Sequence, residues 1–251
     1  MSEVLDQIHS REWFYTFELP DGQTTRSYHD GTLDAIHETR WAMLSRDLEV
    51  RYGGNYAGLR VLDLASHQGF FSIRMAQMGF GEVLGIDART QHVEDSRLIA
   101  KAYGLSDRVD FQQADVHALD AAALGEFDVV LMLGLLYHLE NPVGALRACR
   151  QLCRDFCVVE TQLVPGVTGS VDFGSYEFVR PLKGSFGVID ETGETHGPET
   201  SVTGICLVPS LEALLWVMEK VGFSAPCVLP PPEGAYEQLR HGKRVMVTAQ
   251  V

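Results

Sequence analysis

The sequence lacks three features that would place it in common functional classes. No stretch approaches the roughly 18 apolar residues that a membrane-spanning helix needs. Basic residues are few, since 20 Lys and Arg stand against 34 Asp and Glu, for a formal charge of −14. A chain this acidic offers a poor surface to a phosphate backbone, which argues against a nucleic acid partner. Residues 1–10 are polar and acidic, unlike a secretory signal, so the sequence predicts a cytoplasmic protein with no membrane partner.

Metal-binding patterns are missing as well. Cys149, Cys153 and Cys157 are spaced by four, but Cys157 falls in the next predicted strand, and the chain has no Cys-x-x-Cys. Free cysteine is among the most buried residue types, so these are predicted to be buried structural thiols. The acidic and histidine residues at strand ends come from different strands and show no chelating spacing. No metal site is therefore predicted.

Strands and helices alternate along most of the chain, starting near Leu59. Residues 82–87 and 127–133 are almost continuously apolar, as expected for parallel strands covered on both faces. The predicted strands are 60–65, 82–87, 109–113, 127–133, 155–160, 223–229 and 243–249, and the predicted helices are 69–78, 90–103, 118–124, 142–152 and 211–221. A loop joins the last two strands, which predicts an antiparallel hairpin at the sheet edge. The predicted fold class is α/β: a Rossmann-like, doubly wound, seven-stranded sheet whose last strand is antiparallel.

Two further segments lie outside this alternation. Residues 1–58 are predicted to form an N-terminal cap with a short strand over 13–19 and a helix over 33–51. Residues 163–208, after the fifth strand, are rich in Gly, Thr, Ser and Pro. So long an irregular insert is usually functional or disordered, and its aromatic residues favour an ordered lid. The α/β domain is thus predicted over 59–251, with 163–208 inserted in it.

Polar residues follow four successive strands at the edge where parallel sheets bind ligands. Asp63 is followed by a turn that ends at Gly69, where a helix N-terminus offers free N–H groups to an anion. Asp87 can accept hydrogen bonds from a ribose diol, or it can cap the next helix. Asp115 can accept from the amine of adenine while the Val116 N–H donates to a ring nitrogen, or Asp115 can cap a turn. The candidate ligand-binding residues are Asp63, Ala65, Ser66, His67, Gly69, Asp87, Ala88, Asp115, Val116, Leu133 and Tyr137.

The first turn carries only one glycine, which separates two classes of nucleotide ligand. A dinucleotide needs Gly-x-Gly-x-x-Gly so that the backbone can approach the pyrophosphate. Here Ala65 and His67 carry side chains where that approach would occur. S-adenosylmethionine has one carboxylate and no pyrophosphate, and it is the ligand that this turn tolerates better.

With these residues the chain resembles the class I S-adenosylmethionine-dependent methyltransferases over roughly 59–251. Asp63–Gly69 stands at that family's Gly-rich first motif, Asp87 at its ribose-binding acid, Asp115-Val116 at its adenine contacts and Phe127–Tyr137 at its fourth motif. The resemblance implies S-adenosylmethionine as cofactor and methyl transfer as the activity.

Four shorter segments are similar to the branch that contains the tRNA wobble-uridine carboxymethyltransferases. They are 132–142, 159–161, 207–210 and 244–247. This similarity implies that Tyr137 lies near the sulfonium and that Arg244 faces the active site. The chain departs from the branch in lacking its Gly-Cys-Gly turn and its basic N-terminal extension. A tRNA substrate and a carboxylated donor are therefore not carried over.

The acceptor is predicted to be a small molecule or natural-product intermediate, methylated on oxygen or nitrogen, because the lid and the aromatic cap would enclose it. Catalytic roles are predicted for His138, Glu160 and Tyr137, and substrate contacts for Tyr15, Tyr176, His196 and Arg244. Further base candidates are Asp172, Glu177, His196 and Glu199, and Tyr28 and His29 are further cap contacts. A tRNA nucleoside acceptor and a non-catalytic donor-binding protein are the alternatives, and the chain is predicted to be a monomer or homodimer.

Overall fold

The computed structural model describes residues 2–172, 174, 179–191, 199–201 and 203–251. The strands are β1 (Arg60–Leu64), β2 (Glu82–Asp87), β3 (Val109–Gln113), β4 (Phe127–Leu133), β5 (Cys153–Gln162), β6 (Thr168–Asp172), β7 (Val179–Lys183), β8 (Phe186–Asp190), β9 (Ile205–Pro209), β10 (Ser224–Val228) and β11 (Arg244–Gln250). The helices are α1 (Ser2–His9), α2 (Asp34–Tyr52), α3 (Phe70–Met78), α4 (Thr90–Ala102), α5 (Ala121–Leu124), α6 (Pro142–Leu152), α7 (Leu211–Val221) and α8 (Glu237–Arg240).

Seven strands form one sheet in the order β10-β11-β5-β4-β1-β2-β3. Strands β1 to β5 are parallel, and β11 pairs antiparallel with both β5 and β10. The predicted Rossmann-like sheet and its antiparallel terminal hairpin are confirmed. Strand order reverses between β1 and β4, so the carboxyl ends of these strands form the crevice in which ligands of such sheets bind.

Side chains alternate between the two faces of the central strands, and this alternation divides the hydrophobic core. Val61 and Val129 pack on one face against residues of α2, α3 and α4. Leu62 and Val130 pack on the other face against residues of α6 and α7. Because both faces are covered, these strands are apolar at nearly every position, which is what made them recognisable in the sequence.

Local signals in the sequence set several of the helix ends. Asn141 accepts a hydrogen bond from the Gly144 N–H and precedes Pro142, the first residue of α6. Ser210 caps α7 by accepting from the Ala213 N–H. The predicted helix over 118–124 is wrong in its bounds: a 3₁₀ turn at Val116–Ala118 precedes α5, because Asp115 and Asp120 each cap a separate turn.

The N-terminal segment contains helix α1, which was not predicted, and lacks the predicted strand over 13–19. The alternation is real, since Trp13, Tyr15, Phe17 and Leu19 are all buried. Only isolated bridges form, at Trp13–Ser27 and Glu18–Thr24. The Thr25 hydroxyl accepts from the Phe17 N–H at 2.8 Å and donates to the Tyr15 carbonyl at 2.8 Å, so a side chain satisfies backbone groups that a ladder would otherwise pair. The buried side chains of this segment belong to the same core cluster as those of α2 and α3.

The predicted insert after β5 contains two short antiparallel ladders, β6 with β7 and β8 with β9. A backbone hydrogen bond connects this insert to the segment between β4 and α6. In this bond the Leu207 N–H donates to the Leu139 carbonyl at 2.9 Å. Four of the cysteines are buried and unpaired by disulfides, and Cys227 is exposed. No helix within the described ranges is both long and apolar enough to cross a membrane.

Candidate functional site

A cavity of about 360 Å³ opens at the carboxyl ends of β1, β2 and β4, the position that the topology predicts. Its size falls in the range of small-molecule sites. Predicted site residues that line it are Tyr15, Ala65, His67, Asp87, Ala88, Asp115, Val116, Leu133, Tyr137, His138 and Glu199. Tyr176, Glu177 and His196 lie outside the residues that the structure describes.

Other predicted residues do not line this cavity. They are Tyr28, His29, Asp63, Ser66, Gly69, Glu160, Asp172 and Arg244. Asp172 is exposed in the lid, where its carboxylate accepts from the Gly174 N–H at 2.8 Å. The Ser66 hydroxyl is buried and has no hydrogen-bond partner. At Gly69 a Cβ atom would lie 2.8 Å from the Phe111 ring, so this position admits no side chain without a shift.

The turn after β1 has the backbone of a glycine-rich loop without most of the glycines. Ala65 and His67 have φ values of +58° and +50°, beside Gly69 at +81°. Left-handed backbone costs roughly 1–2 kcal/mol at a residue with a Cβ. Ala65 and His67 therefore hold a left-handed backbone that their side chains disfavour. Such strained residues are common at ligand-binding turns.

Asp63 supports this turn from beneath it. Its carboxylate is buried and accepts from the Ser72 hydroxyl at 2.6 Å. Burial raises the pKa of Asp63 to about 7, against the opposing effect of the Ser72 hydrogen bonds. The structure thus places Asp63 as a group that ties β1 to α3.

Asp63 gives the stability a predictable pH dependence. From about pH 4 to pH 7 the unfolded chain has lost this proton and the folded chain retains it, so the free energy of unfolding falls as the pH rises. We expect Asp63→Asn to remove this slope. The thermal midpoint of the variant should therefore rise relative to that of the wild type as the pH increases from 5 to 8. Scanning calorimetry across this range measures the difference, and parallel curves for the two proteins would contradict the assignment.

Asp87 ends β2 and is held by three protein donors. Its Oδ2 accepts from the His67 N–H at 2.9 Å, and its Oδ1 accepts from the Arg89 N–H at 2.9 Å and pairs with His92 Nδ1 at 3.1 Å. Burial alone would raise the pKa of Asp87, but the His92 side chain and the Arg89 N–H hold it below its usual value. The carboxylate therefore stays ionised in a fixed orientation at the cavity wall.

Asp115 lies at the cavity rim, where its side chain is 66% exposed. It accepts from the His117 N–H at 2.8 Å and caps the 3₁₀ turn, as the capping alternative predicts. The neighbouring wall is apolar and formed by Ile86, Val116 and Leu133. A flat ring could occupy the space beside this wall.

Glu160 is fully buried between two arginines, one of which, Arg40, lines the cavity. Its Oε2 lies 2.7 Å from Arg40 Nη2, and its Oε1 accepts from Arg244 Nη1 at 2.9 Å. Arg244 Nη2 also donates to the Tyr137 hydroxyl at 3.2 Å. Burial alone would lower the pKa of Arg244, but Glu160 and Tyr137 hold it above its usual value. This geometry suits a positioning role for Glu160 better than the predicted role as a base, because its carboxylate is already paired with two buried cations.

Arg40 lines the cavity and was not predicted from the sequence. It extends from α2, lines the cavity and keeps its Nε without a hydrogen-bond partner. Gly134 makes this position possible, since a Cβ there would lie 2.7 Å from Arg40 Nη2. The sequence does contain a signal for it, because Arg40 falls between Ile36 and Met43 on the buried side of a helix. A buried charge is costly unless it is paired or hydrogen-bonded.

His138 lines the cavity and pairs with Glu191 of the lid. The distance from His138 Nδ1 to Glu191 Oε2 is 2.5 Å. The same carboxylate accepts from the Ser201 N–H at 3.0 Å and from the Cys206 thiol at 3.2 Å. Burial would raise the pKa of Glu191, but His138 and these donors lower it, so Glu191 is ionised near neutral pH. No pattern in the sequence marked Glu191, which is one acid among several in an irregular insert.

The insert after β5 and the N-terminal segment are also joined beside this cavity. The Tyr28 hydroxyl donates to the Glu199 carboxylate, and Arg89 Nη2 donates to the Thr200 carbonyl at 2.8 Å. Glu199, predicted as a base candidate, is therefore a partner of Tyr28 in this structure. Across the described part of the chain, no three His, Cys, Asp or Glu side chains are grouped so as to hold a metal ion.

The central part of the chain is similar in sequence to known methyltransferases. Residues 55–167 match the family model described as "Methyltransferase domain". Two curated relatives are the ubiquinone biosynthesis O-methyltransferases of Cereibacter sphaeroides, 36% identical over 122 residues (49% of this chain and 47% of that protein), and of Psychrobacter cryohalolentis, 36% identical over 107 residues (42% and 41%). The match thus spans about half the length of these relatives.

Solved structures share the fold over most of the chain. The N-terminal domain of EvdMO1 with SAH bound has a TM-score of 0.71 at 20% identity, covering 100% of this chain and 96% of that chain. An S-adenosylmethionine-dependent methyltransferase from Mesorhizobium loti has a TM-score of 0.60 at 19% identity, covering 85% and 98%. The chain therefore has the Rossmann-like fold of these structures, and residues 55–167 are similar to the methyltransferase domain model.

Proposed function

We propose that this protein transfers the methyl group of S-adenosylmethionine to a hydroxyl group of a small-molecule acceptor. One observation carries the proposal. The same cavity is lined by an ionised carboxylate suited to a ribose, Asp87, and by a histidine paired with a carboxylate, His138 with Glu191. The methyltransferase domain over 55–167 supports the choice of donor, and the O-methyltransferases among the relatives support a hydroxyl acceptor.

The cavity offers a partner for each part of the donor. Asp87 would accept hydrogen bonds from the ribose hydroxyls, and the apolar wall of Ile86, Val116 and Leu133 would cover the adenine. The free Nε–H of Arg40 would donate to the carboxylate of the methionine part, which supplies the missing partner of a buried guanidinium. A pyrophosphate is not required at any of these positions.

The acceptor hydroxyl would attack the methyl carbon in line with the sulfur. The new O–C bond forms as the C–S bond breaks, the sulfonium becomes a neutral thioether, and the hydroxyl proton passes to His138. Glu191 holds Nδ1–H of this imidazole, which leaves Nε2 as the proton acceptor. Tyr137, fixed by Arg244, forms part of the wall near the reacting groups, and much of the rate would come from positioning.

A small acceptor fits the electrostatics and the enclosure better than a nucleic acid. The insert contributes Glu199 to the cavity and the rim carries Asp115 and Glu140, so three carboxylates stand against the guanidinium of Arg89 where a phosphate would enter. The wobble-uridine branch is not part of this proposal, because the named relatives methylate other acceptors according to their names and the chain has a charge of −14. Four predictions from the sequence form part of this proposal. They are a cap over 1–58, a lid over 163–208, a cytoplasmic location and a monomeric or homodimeric form.

Donor binding is tested by titration calorimetry with S-adenosylhomocysteine and with NAD. We expect the wild type to bind S-adenosylhomocysteine, and Asp87→Asn to raise its Kd by about ten- to a hundred-fold, because one charged acceptor of the ribose is lost. Asp110→Asn is a matched control, since Asp110 is an exposed carboxylate on the neighbouring strand β3. Binding of NAD alone would refute the proposal.

A further inference from the structure

His67 occupies a position where the turn conformation favours glycine, and its ring is enclosed on both sides. The imidazole stacks on His92 with ring centroids 3.7 Å apart, and it lies 4.7 Å from the Phe14 ring on the cap. The residue also pays for a left-handed backbone at φ +50°. A large side chain is therefore present in a turn that would accept glycine more easily.

The hydrogen bonds of the turn determine which nitrogen of His67 carries the proton. The Gln68 N–H donates to His67 Nδ1 at 2.9 Å, so Nδ1 is an acceptor and the proton of the neutral ring is on Nε2. Burial and the neighbouring His92 hold the pKa of His67 well below its usual value, which agrees with a neutral ring. Nε2 is buried and has no hydrogen-bond partner in the protein. A buried N–H without an acceptor is costly, and such groups in native proteins usually have one.

His67 lies where a bound ligand would supply the missing acceptor. The residue lines the cavity, and its backbone N–H donates to the Asp87 oxygen at 2.9 Å, so it adjoins the carboxylate assigned to the ribose. We propose that His67 is a donor-binding residue whose Nε2–H donates a hydrogen bond to an oxygen of bound S-adenosylmethionine, either a ribose hydroxyl or the carboxylate. This inference rests on the proposed function. It accounts for the unpartnered N–H, which packing against His92 and Phe14 does not.

Two substitutions separate the hydrogen bond from the packing. His67→Phe keeps a ring between His92 and Phe14 and removes the N–H, whereas His67→Gln keeps an N–H donor and removes the ring. We expect His67→Phe to raise the Kd for S-adenosylhomocysteine about ten-fold, and His67→Gln to raise it less. His241→Phe, at an exposed histidine after α8, is the matched control and should keep the wild-type Kd.

Adenosine as a second titrant locates the oxygen. Adenosine has the ribose and lacks the carboxylate, so an equal loss of affinity for both ligands assigns the bond to a ribose hydroxyl. A loss confined to S-adenosylhomocysteine assigns it to the carboxylate. Wild-type Kd values for both ligands in a His67→Phe protein with the wild-type thermal midpoint would overturn the inference.

If His67→Phe does not fold, nitrogen-15 spectra of the histidine rings in the wild type decide the question. We expect His67 to be protonated on Nε2 and this proton to shift when S-adenosylhomocysteine is added. A proton on Nδ1, or an Nε2 proton that does not respond to the ligand, would overturn the inference. Failure of the wild type to bind S-adenosylhomocysteine would instead refute the proposed function itself.

Discussion

Glu160→Gln is expected to lower the free energy of unfolding by about 3–5 kcal/mol, the usual cost of breaking a buried ion pair from one side. The carboxylate is completely buried and is the shared partner of Arg40 and Arg244. A neutral amide of the same shape would leave two buried guanidinium groups without a counter-charge. The substitution changes little in volume, so the effect would come from charge and not from packing.

Urea denaturation measures this change, and the chain provides a matched control. Glu82 pairs with Arg60 at 2.7 Å, but both side chains are partly exposed. Glu82→Gln should change the free energy of unfolding by no more than about 1 kcal/mol, because solvent screens an exposed pair. A loss for Glu160→Gln as small as that of the control would show that the two arginines find other partners, and the positioning role of Glu160 would then be wrong.

His138→Ala is expected to lower kcat by about 10²- to 10⁴-fold, the usual contribution of a positioned general base. The Kd for S-adenosylhomocysteine should stay close to that of the wild type, because no donor contact is assigned to His138. The measurement is release of S-adenosylhomocysteine in the presence of a panel of phenols, catechols and polyols. His241→Ala is the control for loss of a histidine outside the cavity.

A substitution at Glu191 tests whether this carboxylate orients the base. Glu191→Gln should reduce kcat less than His138→Ala, since the amide can still accept from Nδ1–H. If His138→Ala kept the wild-type kcat, methyl transfer would depend on positioning alone. If the wild type turned over no acceptor while binding the donor product, the non-catalytic alternative would be favoured.

The sequence located the strand-end positions of the site because parallel strands have a strong local signature. An apolar run followed by Asp63 or Asp87 predicts both the strand and the edge at which its polar residue lies. The single glycine in the first turn also indicated the ligand class. The N-terminal strand was predicted wrongly, because alternating burial at Trp13 to Leu19 comes from packing on the core and not from a ladder.

By itself, then, the sequence determined the order of the strands along the chain, the edge that carries the site, and Asp87, His67 and His138 as residues of that edge. Only the tertiary structure decided the partners of these residues. Glu191, the partner of His138, comes from the insert more than 50 residues further along the chain, and Arg40 reaches the cavity from α2 and pairs with Glu160. Such pairs have no periodicity or fixed spacing, because they form where separately folded segments pack together. The proposal of His138 as the proton acceptor therefore rests on the Glu191 carboxylate, which the insert after β5 brings to its Nδ1.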